Sequence, residues 1–364
     1  MRKLASIKQI SAIYPIENKD KIVLAQIDGW QVIVTKDFKV GDKVVFCEID
    51  SVLPPKPEFD FLKSKNYRIK TMKMGGVLSQ GICFPLNILP KGEYNLDDDV
   101  TSIMGITQYA PTMDKDDEPT TQQPTTKEFR HYPKFLTQFK WFRNLVMPKK
   151  ENKGFPWFIH PTDETRIQNC PFYLDEDCDW VATEKVDGQS GSFTLERIKP
   201  KFFWQKERFD FAICSRKLRK WTEDNSSYWS VAKRYDIESV LHELIGDNDW
   251  VAIQGECVAS DVQGNKYSVN TPDLYVFNLI YPNGRVDSLK AKEIVNKLGL
   301  KFVPIVEPKA HIKGMTVNEV LDYATGKSQL RTDNGLREGI VFRSQDGKQS
   351  FKAVSPKFLM HYDE

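Results

Sequence analysis

The sequence predicts an α+β protein: a small barrel-like β domain over residues 1–104, a polar connecting segment over 105–161, and a larger domain over 162–364 with an antiparallel sheet at its core. Three observations predict it. The first hundred residues break into short β-rich runs divided by turn signals. An acidic stretch rich in Pro and Thr then interrupts the pattern. Beyond it, strand-like runs alternate with amphipathic helical ones.

Each element has its own signature. "KIVLAQIDGWQVIVT" is two β-rich runs around Asp28-Gly29, a hairpin signal, and "FKVGDKVVFCEI" repeats the theme around Gly41-Asp42. "YRIKTMKM" alternates, and "GGVLSQGICFPL" supplies a further strand. Such closely spaced strands suggest a small barrel or sandwich, with Lys63, Lys65, Arg68, Lys70 and Lys73 crowded on one part of it. "APTMDKDDEPTTQQPTTKE" reads as a linker. "YPKFLTQFKWFRNL" after it has near-helical spacing, and "PKKENKGFP" ends it. "TDETRIQN" is expected to open a helix with Thr162 as N-cap. "SVAKRYDIESVLHELIG" is expected to be one amphipathic helix closed by Gly246, with "KAKEIVNKLGL" and "TVNEVLDYAT" as further helices. "WVAIQGECV", "LYVFNLIY", "EGIVFRS" and "SFKAV" are strand-like.

Bulk properties exclude several classes. The 364 residues are 40% apolar and 28% charged, as in an ordinary soluble globular protein. No run approaches a membrane span, and the start lacks the apolar core of a signal peptide, so a reducing, cytoplasmic or nuclear setting, no membrane partner and a monomer are expected. Six cysteines without a C-x-x-C pair, and five scattered histidines, argue against a disulfide framework or a zinc site. Net charge is only +2, but residues 197–220 hold nine Lys/Arg against two Asp/Glu, interleaved with Phe202, Phe203, Trp204, Phe209 and Phe211. Basic and aromatic side chains together suit a phosphate backbone with stackable bases, although a solvated hairpin above core aromatics has the same composition.

Chemistry concentrates at "WVATEKVDGQSG". Lys185 and Asp187, two apart on an extended chain, project to one side, and Gly188 lets the chain turn away. A lysine amine is a poor nucleophile while protonated; a nearby cation lowers its pKa and frees the lone pair. A carboxylate that holds a metal beside a lysine therefore makes chemical sense. K-x-D-G alone arises by chance in ~5–10% of chains this long, so a surface turn is the plainer reading of that motif by itself. Glu256 closing an apolar strand, Glu338 opening one and Lys352 within "SFKAV" add three polar points on strands.

Together, Lys185-Val-Asp187-Gly188, Ser215-Arg216, Gly255-Glu256, "YVFNLI", Glu338-Gly339-Ile-Val and "FKAVSPKF" resemble motifs I, Ia, III, IIIa, IV and V of the covalent nucleotidyltransferases, which are ATP-dependent ligases and capping enzymes. The sequence runs twelve residues past Lys352, so the C-terminal barrel of DNA ligases and capping enzymes is not expected. Its N-terminal β domain instead resembles the OB domain of the fifth RNA ligase family. The resemblance implies an OB-like barrel followed by a nucleotidyltransferase domain, and ATP with Mg²⁺ or Mn²⁺ as cofactors. It implies that Lys185 becomes a lysyl–AMP and that 3′-OH/5′-phosphate nicks with RNA on the 3′-OH side are sealed. It gives the metal to Asp187, Glu256 and Glu338, and α-phosphate neutralisation to Lys352. It gives adenine to Phe277 with Ile340 as the opposite wall, a nucleotide contact to Glu184, the AMP ribose or the RNA 3′ end to Arg216, and a phosphate contact to Arg166. Ser350 stands where many ligases carry a second lysine, which leaves open whether another lysine assists. The alternatives are a capping-type guanylyltransferase or DNA ligase, and a non-catalytic nucleic-acid binder. If the barrel only grips duplex, its deletion should hurt sealing more than self-adenylylation.

Overall fold

The computed structural model describes residues 3–109, 154–199 and 207–362. The expected helix in "YPKFLTQFKWFRNL", most of the acidic linker, and the aromatics Phe202, Phe203 and Trp204 lie outside the described residues.

The N-terminal part is built from β1 (Ala5–Gln9), β2 (Ala12–Pro15), β3 (Ile22–Ile27), β4 (Trp30–Thr35), β5 (Lys43–Cys47), β6 (Ser51–Val52), β7 (Thr71–Met74), β8 (Val77–Gln80), β9 (Ile82–Pro85), a short helix α1 (Thr101–Met104) and β10 (Thr107–Gln108). The β3–β4 hairpin forms at the Asp28-Gly29 turn: Ile27 pairs with Trp30, and Asp28 takes the left-handed conformation. The strands form separate ladders, β1-β5-β9, β2-β3-β4, β7-β8 and β6-β10, rather than one closed barrel. One core joins them, from Leu4 through Trp30, Phe46 and Phe59 to Ile106. Strand β10 therefore continues this domain past the expected boundary at residue 104.

The C-terminal part carries two antiparallel sheets. One is β19-β11-β20-β21, made of β11 (Trp180–Lys185), β19 (Ile305–Ala310), β20 (Gly339–Ser344) and β21 (Ser350–Val354). The other runs β14-β13-β12-β15-β16-β17, made of β12 (Gln189–Ile198), β13 (Arg208–Cys214), β14 (Arg219–Lys220), β15 (Trp250–Val258), β16 (Asp273–Tyr281) and β17 (Gly284–Arg285). The two-residue strand β18 (Lys301–Phe302) pairs in parallel with β16. Helices α2 (Ser227–Arg234), α3 (Ile237–Ile245) and α4 (Ser288–Lys297) pack on the second sheet, and α5 (Val317–Ala324) packs on the first. The C-terminal helix α6 (Pro356–Tyr362) packs the partly buried Leu359 against the N-terminal core. None of the described helices is long and apolar enough to cross a membrane.

Two helical expectations are corrected. The run expected as one helix is two, because Asp236 adopts a left-handed conformation (φ 45°) between α2 and α3. Thr162 caps no helix. The chain from Asp163 to Arg166 is instead drawn out beside β21, where the Lys352 amide donates to the Thr165 carbonyl at 2.8 Å, and only a 3₁₀ turn, Ile167–Asn169, follows before Pro171. A backbone amide bond to a neighbouring strand here outweighs the local capping signal.

That turn docks the two domains. The Gly29 amide donates to the Gln168 carbonyl at 3.0 Å, and a Cβ on Gly29 would lie 2.6 Å from Gln168 Cα. The Trp30 indole donates to Asn169 Oδ1 at 2.6 Å, and Asn169 Nδ2 donates to the buried Glu48 at 2.8 Å. Asn169→Ala should leave the buried Trp30 indole unsatisfied and take one bond from Glu48, destabilising the protein by roughly 1–3 kcal/mol, measured as a lowered denaturation midpoint.

Candidate active site

The site sits where β11, β20 and β21 face β12, β15 and β16. Directly opposed residues on neighbouring strands share a face. Thr183, Val341 and Lys352 form one such row, and Lys185, Gly339 and Val354 the next, so all point to one side of the sheet. This side lines a pocket of about 440 Å³, within the usual range for small-ligand sites. Its opposite wall includes Ser190, Glu256 and Phe277, and its rim includes Asp50, Arg68 and Tyr109 of the N-terminal domain.

Two glycines let backbones approach closely enough for this. A Cβ on Gly339 would lie 2.2 Å from the Ala353 carbonyl oxygen, and one on Gly188 would lie 2.5 Å from the Cys257 carbonyl oxygen. Gly188 serves close approach to the strand bearing Glu256, not a left-handed turn: it is absent from the positive-φ residues of the chain.

Lys185 ends β11 with its ammonium donating to Glu338 Oε2 at 2.5 Å, its side chain 23% exposed. Burial alone would lower its pKa, but Glu338, Glu256 and Asp187 together outweigh burial and raise it. The lysine is thus a tightly held ammonium in this state. Glu256 accepts from the Gly188 amide at 3.2 Å and from Ser190 Oγ at 2.9 Å. Burial pushes its carboxyl up to about 7, against the opposing pull of Lys185 and Arg216. Burial likewise raises Glu338, partly offset by Lys185. Asp187 lies just past the strand; its amide donates to Tyr267 Oη at 2.8 Å, and its carboxylate accepts from the Lys266 ammonium at 2.5 Å. On the far side, Lys352 donates to Asp163 Oδ1 at 2.8 Å. Burial, together with Arg166 and Lys185, holds its ammonium down to about 8 despite Asp163.

Phe277 reaches the pocket from a bulge: β15 and β16 pair Gln254 with Asn278 and Gly255 with Val276, leaving Phe277 between them. Bulges beside active sites re-aim side chains. The Arg343 guanidinium carbon lies 5.5 Å from its ring centroid. Arg216 lines the pocket near Glu256. Arg166 is buried and donates to Asp50 Oδ2 at 3.0 Å, linking pocket and N-terminal domain.

Two expectations fail here. Ile340 is no wall of the pocket: it pairs with Glu184 and Ala353 on the other face, fully buried with Trp180 and Phe342, and Val341 takes the pocket position. The alternation from Glu338 breaks because Glu338 precedes the strand and Gly339 begins it. The Glu184 carboxylate also turns to that other face, accepting from Ser328 Oγ at 2.5 Å and the Gln329 amide at 2.8 Å. Only the remainder of Glu184 borders the pocket. Four residues near the reactive groups went unread in the sequence: Asp163 and Glu164, hidden in an apparent helix cap, and Lys266 and Tyr267, in a loop with no motif. Ser350 donates to Glu164 Oε2 at 2.6 Å. Further cations lining the pocket are Arg68, Lys70, Arg166, Arg216, Lys266 and Arg343, whereas Lys348 is 81% exposed.

An RNA ligase family model matches residues 179–354, and an OB-fold domain model matches residues 4–86. The chain carries an RNA ligase domain behind an N-terminal OB-fold domain. Among solved structures, Naegleria gruberi RNA ligase with pyrophosphate is 26% identical with a TM-score of 0.80, covering 100% of both chains. A mutant of that enzyme with AMP and manganese gives a TM-score of 0.79, 26% identity and 100% coverage of both. Another, with ATP and manganese, gives 0.77 and 26%, covering 100% of this chain and 98% of that one. No curated protein matches the chain by sequence.

The all-oxygen set of Asp187, Glu256 and Glu338 around one lysine fits a hard divalent cation such as Mg²⁺ or Mn²⁺. Among the described residues, however, no three acidic, His or Cys groups close on one point.

The sign of the Glu256 shift makes a prediction. Its folded pKa lies above the ordinary 4.5, so its contribution to stability is full below about pH 4.5 and is lost as pH rises through about 7. Glu256→Gln should therefore melt higher than wild type at pH 8, by roughly 2–4 °C, with the gap closing towards pH 4.5. Thermal melts across pH measure it.

Proposed function

We propose that the ligase uses ATP to join a 3′-OH to a 5′-phosphate through a lysyl–AMP on Lys185, acting on nicked duplexes with RNA on the 3′-OH side. The observation that carries the reading is the Lys185 ammonium held against Glu338 in a pocket that also holds Glu256, Asp187, Lys352 and Phe277. The ATP and manganese in the related Naegleria structures support the choice of nucleotide and metal.

Lys185 must lose its proton before it can attack. Asp187, Glu256 and Glu338 would hold the divalent cation, which would compete with the lysine for Glu338, lower the lysine pKa so that its proton passes to water, and offset phosphate charge. The free Nζ then attacks the α-phosphorus; the P–N bond forms as the P–O bond to pyrophosphate breaks. Lys352, the cation of β21 opposite Lys185, neutralises the α-phosphate as charge shifts between its oxygens. Phe277 stacks on adenine and Val341 supplies the apolar wall across from it. Arg216 contacts the ribose or the RNA 3′ end. The RNA 5′-phosphate next takes AMP from the lysine, and the 3′-OH displaces it.

The N-terminal domain enters the account differently from the expectation that it only grips duplex. Asp50 pairs with Arg166 at the pocket, and Trp30 and Glu48 hold Asn169. Deleting residues 1–100 should therefore weaken self-adenylylation as well as sealing, in contrast to a domain that only binds RNA.

Sealing of a nicked duplex tests the reading. With ATP, RNA on the 3′-OH strand should be joined faster than DNA there, on the order of 10-fold or more. Lys352→Ala should slow label transfer from ATP about 10²–10³-fold. A covalent GTP adduct, or equal sealing of DNA and RNA 3′ ends, would overturn it.

A further inference from the structure

The cation that sits on Asp187 in this state is Lys266, at 2.5 Å, and no motif of the family reading includes it. The loop that carries it follows the Glu256 strand and is conformationally unusual: Gln263, Gly264, Asn265 and Ser268 all have positive φ. Non-glycine residues adopt that conformation at some cost, and keep it only where surroundings impose it. Asn265 braces the loop by donating to the Val269 carbonyl and accepting from the Val269 amide. So held, the loop grips Asp187 twice: Tyr267 Oη accepts from its backbone amide at 2.8 Å, and Lys266 meets its carboxylate.

The two grips are separable. The Tyr267 bond fixes the Asp187 backbone whatever the lysine does. The Lys266 ammonium has other partners within reach: it donates to the Gln263 carbonyl at 3.0 Å and lies 5.6 Å from the ring centroids of Phe358 and Tyr362. Aromatic faces attract an ammonium at such range. Lys266 can therefore leave the carboxylate without being stranded in an apolar wall, and Asp187 stays in place when it does.

We propose that Lys266 is the resident counter-ion of Asp187, displaced when a divalent cation binds, so that it sets the metal affinity of the ligase. The proposal rests on the reading of Asp187 as a metal-holding group. Lys266 is a positioning residue, not a catalytic one. It keeps the acidic pocket neutralised between turnovers, and its departure delivers a positive charge towards the Phe358–Tyr362 side of the pocket.

Manganese titration of the full-length protein without nucleotide, followed by the electron paramagnetic resonance of free Mn²⁺, tests this without relying on activity. Lys266→Met should bind Mn²⁺ roughly tenfold more tightly than wild type, the size expected for removing one nearby competing charge. Lys266→Arg, which keeps the charge, should bind close to wild type. In an Asp187→Asn background the gain from Lys266→Met should vanish, since the two act as a pair. Unchanged or weaker binding by Lys266→Met would overturn the proposal, as would a tenfold gain that survives in Asp187→Asn, which would mark a general charge effect. If Asp187→Asn leaves wild-type Mn²⁺ affinity unaltered, the metal role of Asp187 itself falls, and the proposal with it.

Discussion

The ion pair between Lys185 and Glu338 is the interaction on which the site depends. It lies in a pocket whose burial penalises charge, and both partners pay that penalty together rather than separately. Breaking it one-sidedly would leave a buried charge alone. Supplying a different cation to Glu338 would free the lysine instead. On the proposed reading, a resting enzyme with a protected, protonated lysine and an active one with a free amine would differ by which cation the carboxylates hold.

The geometry behind that pair comes from strand order more than from any single motif. Placing β11 beside β20, and β20 beside β21, brings Lys185, Glu338 and Lys352 together from segments more than 150 residues apart in part. Gly339 allows the β20–β21 approach, and Gly188 the approach to the Glu256 strand. The segment from Asp163 to Asn169 then does two things at once. Its first residues pin Lys352 and lie along β21; its last ones dock on the OB domain through Gln168 and Asn169. The pocket and the OB domain are therefore mechanically joined by seven residues, and Leu359, packed against the OB core, is a second tie.

Much of this was legible in the sequence, and the failures have physical causes. Lys185, Asp187, Glu256, Glu338, Lys352, Phe277 and Arg216 all line one pocket, because the order of motifs along the chain encodes strand order. The β3–β4 hairpin was legible because its turn chemistry is local. Ile340 was misplaced because alternation was counted from Glu338, outside the strand, and a one-residue offset reverses every face. The helix at Thr162 was misread because a capping signal cannot reveal the edge of β21 waiting beside it. The break at Asp236 was missed since an aspartate in a left-handed conformation leaves helical periodicity intact on both sides. Lys266 carried no signal at all: its partner is 79 residues away, and only the fold brings them together.

The central claim is that the Lys185 amine, once relieved of its proton, takes AMP. Intact-mass measurement of the protein incubated with ATP and Mg²⁺, followed by peptide mapping, tests it most directly. The account predicts a gain of one AMP located on Lys185, absent when the divalent ion is chelated and absent in Lys185→Ala. An adduct on another residue, one that persists in Lys185→Ala, or no adduct in a protein that nonetheless seals RNA ends, would contradict it.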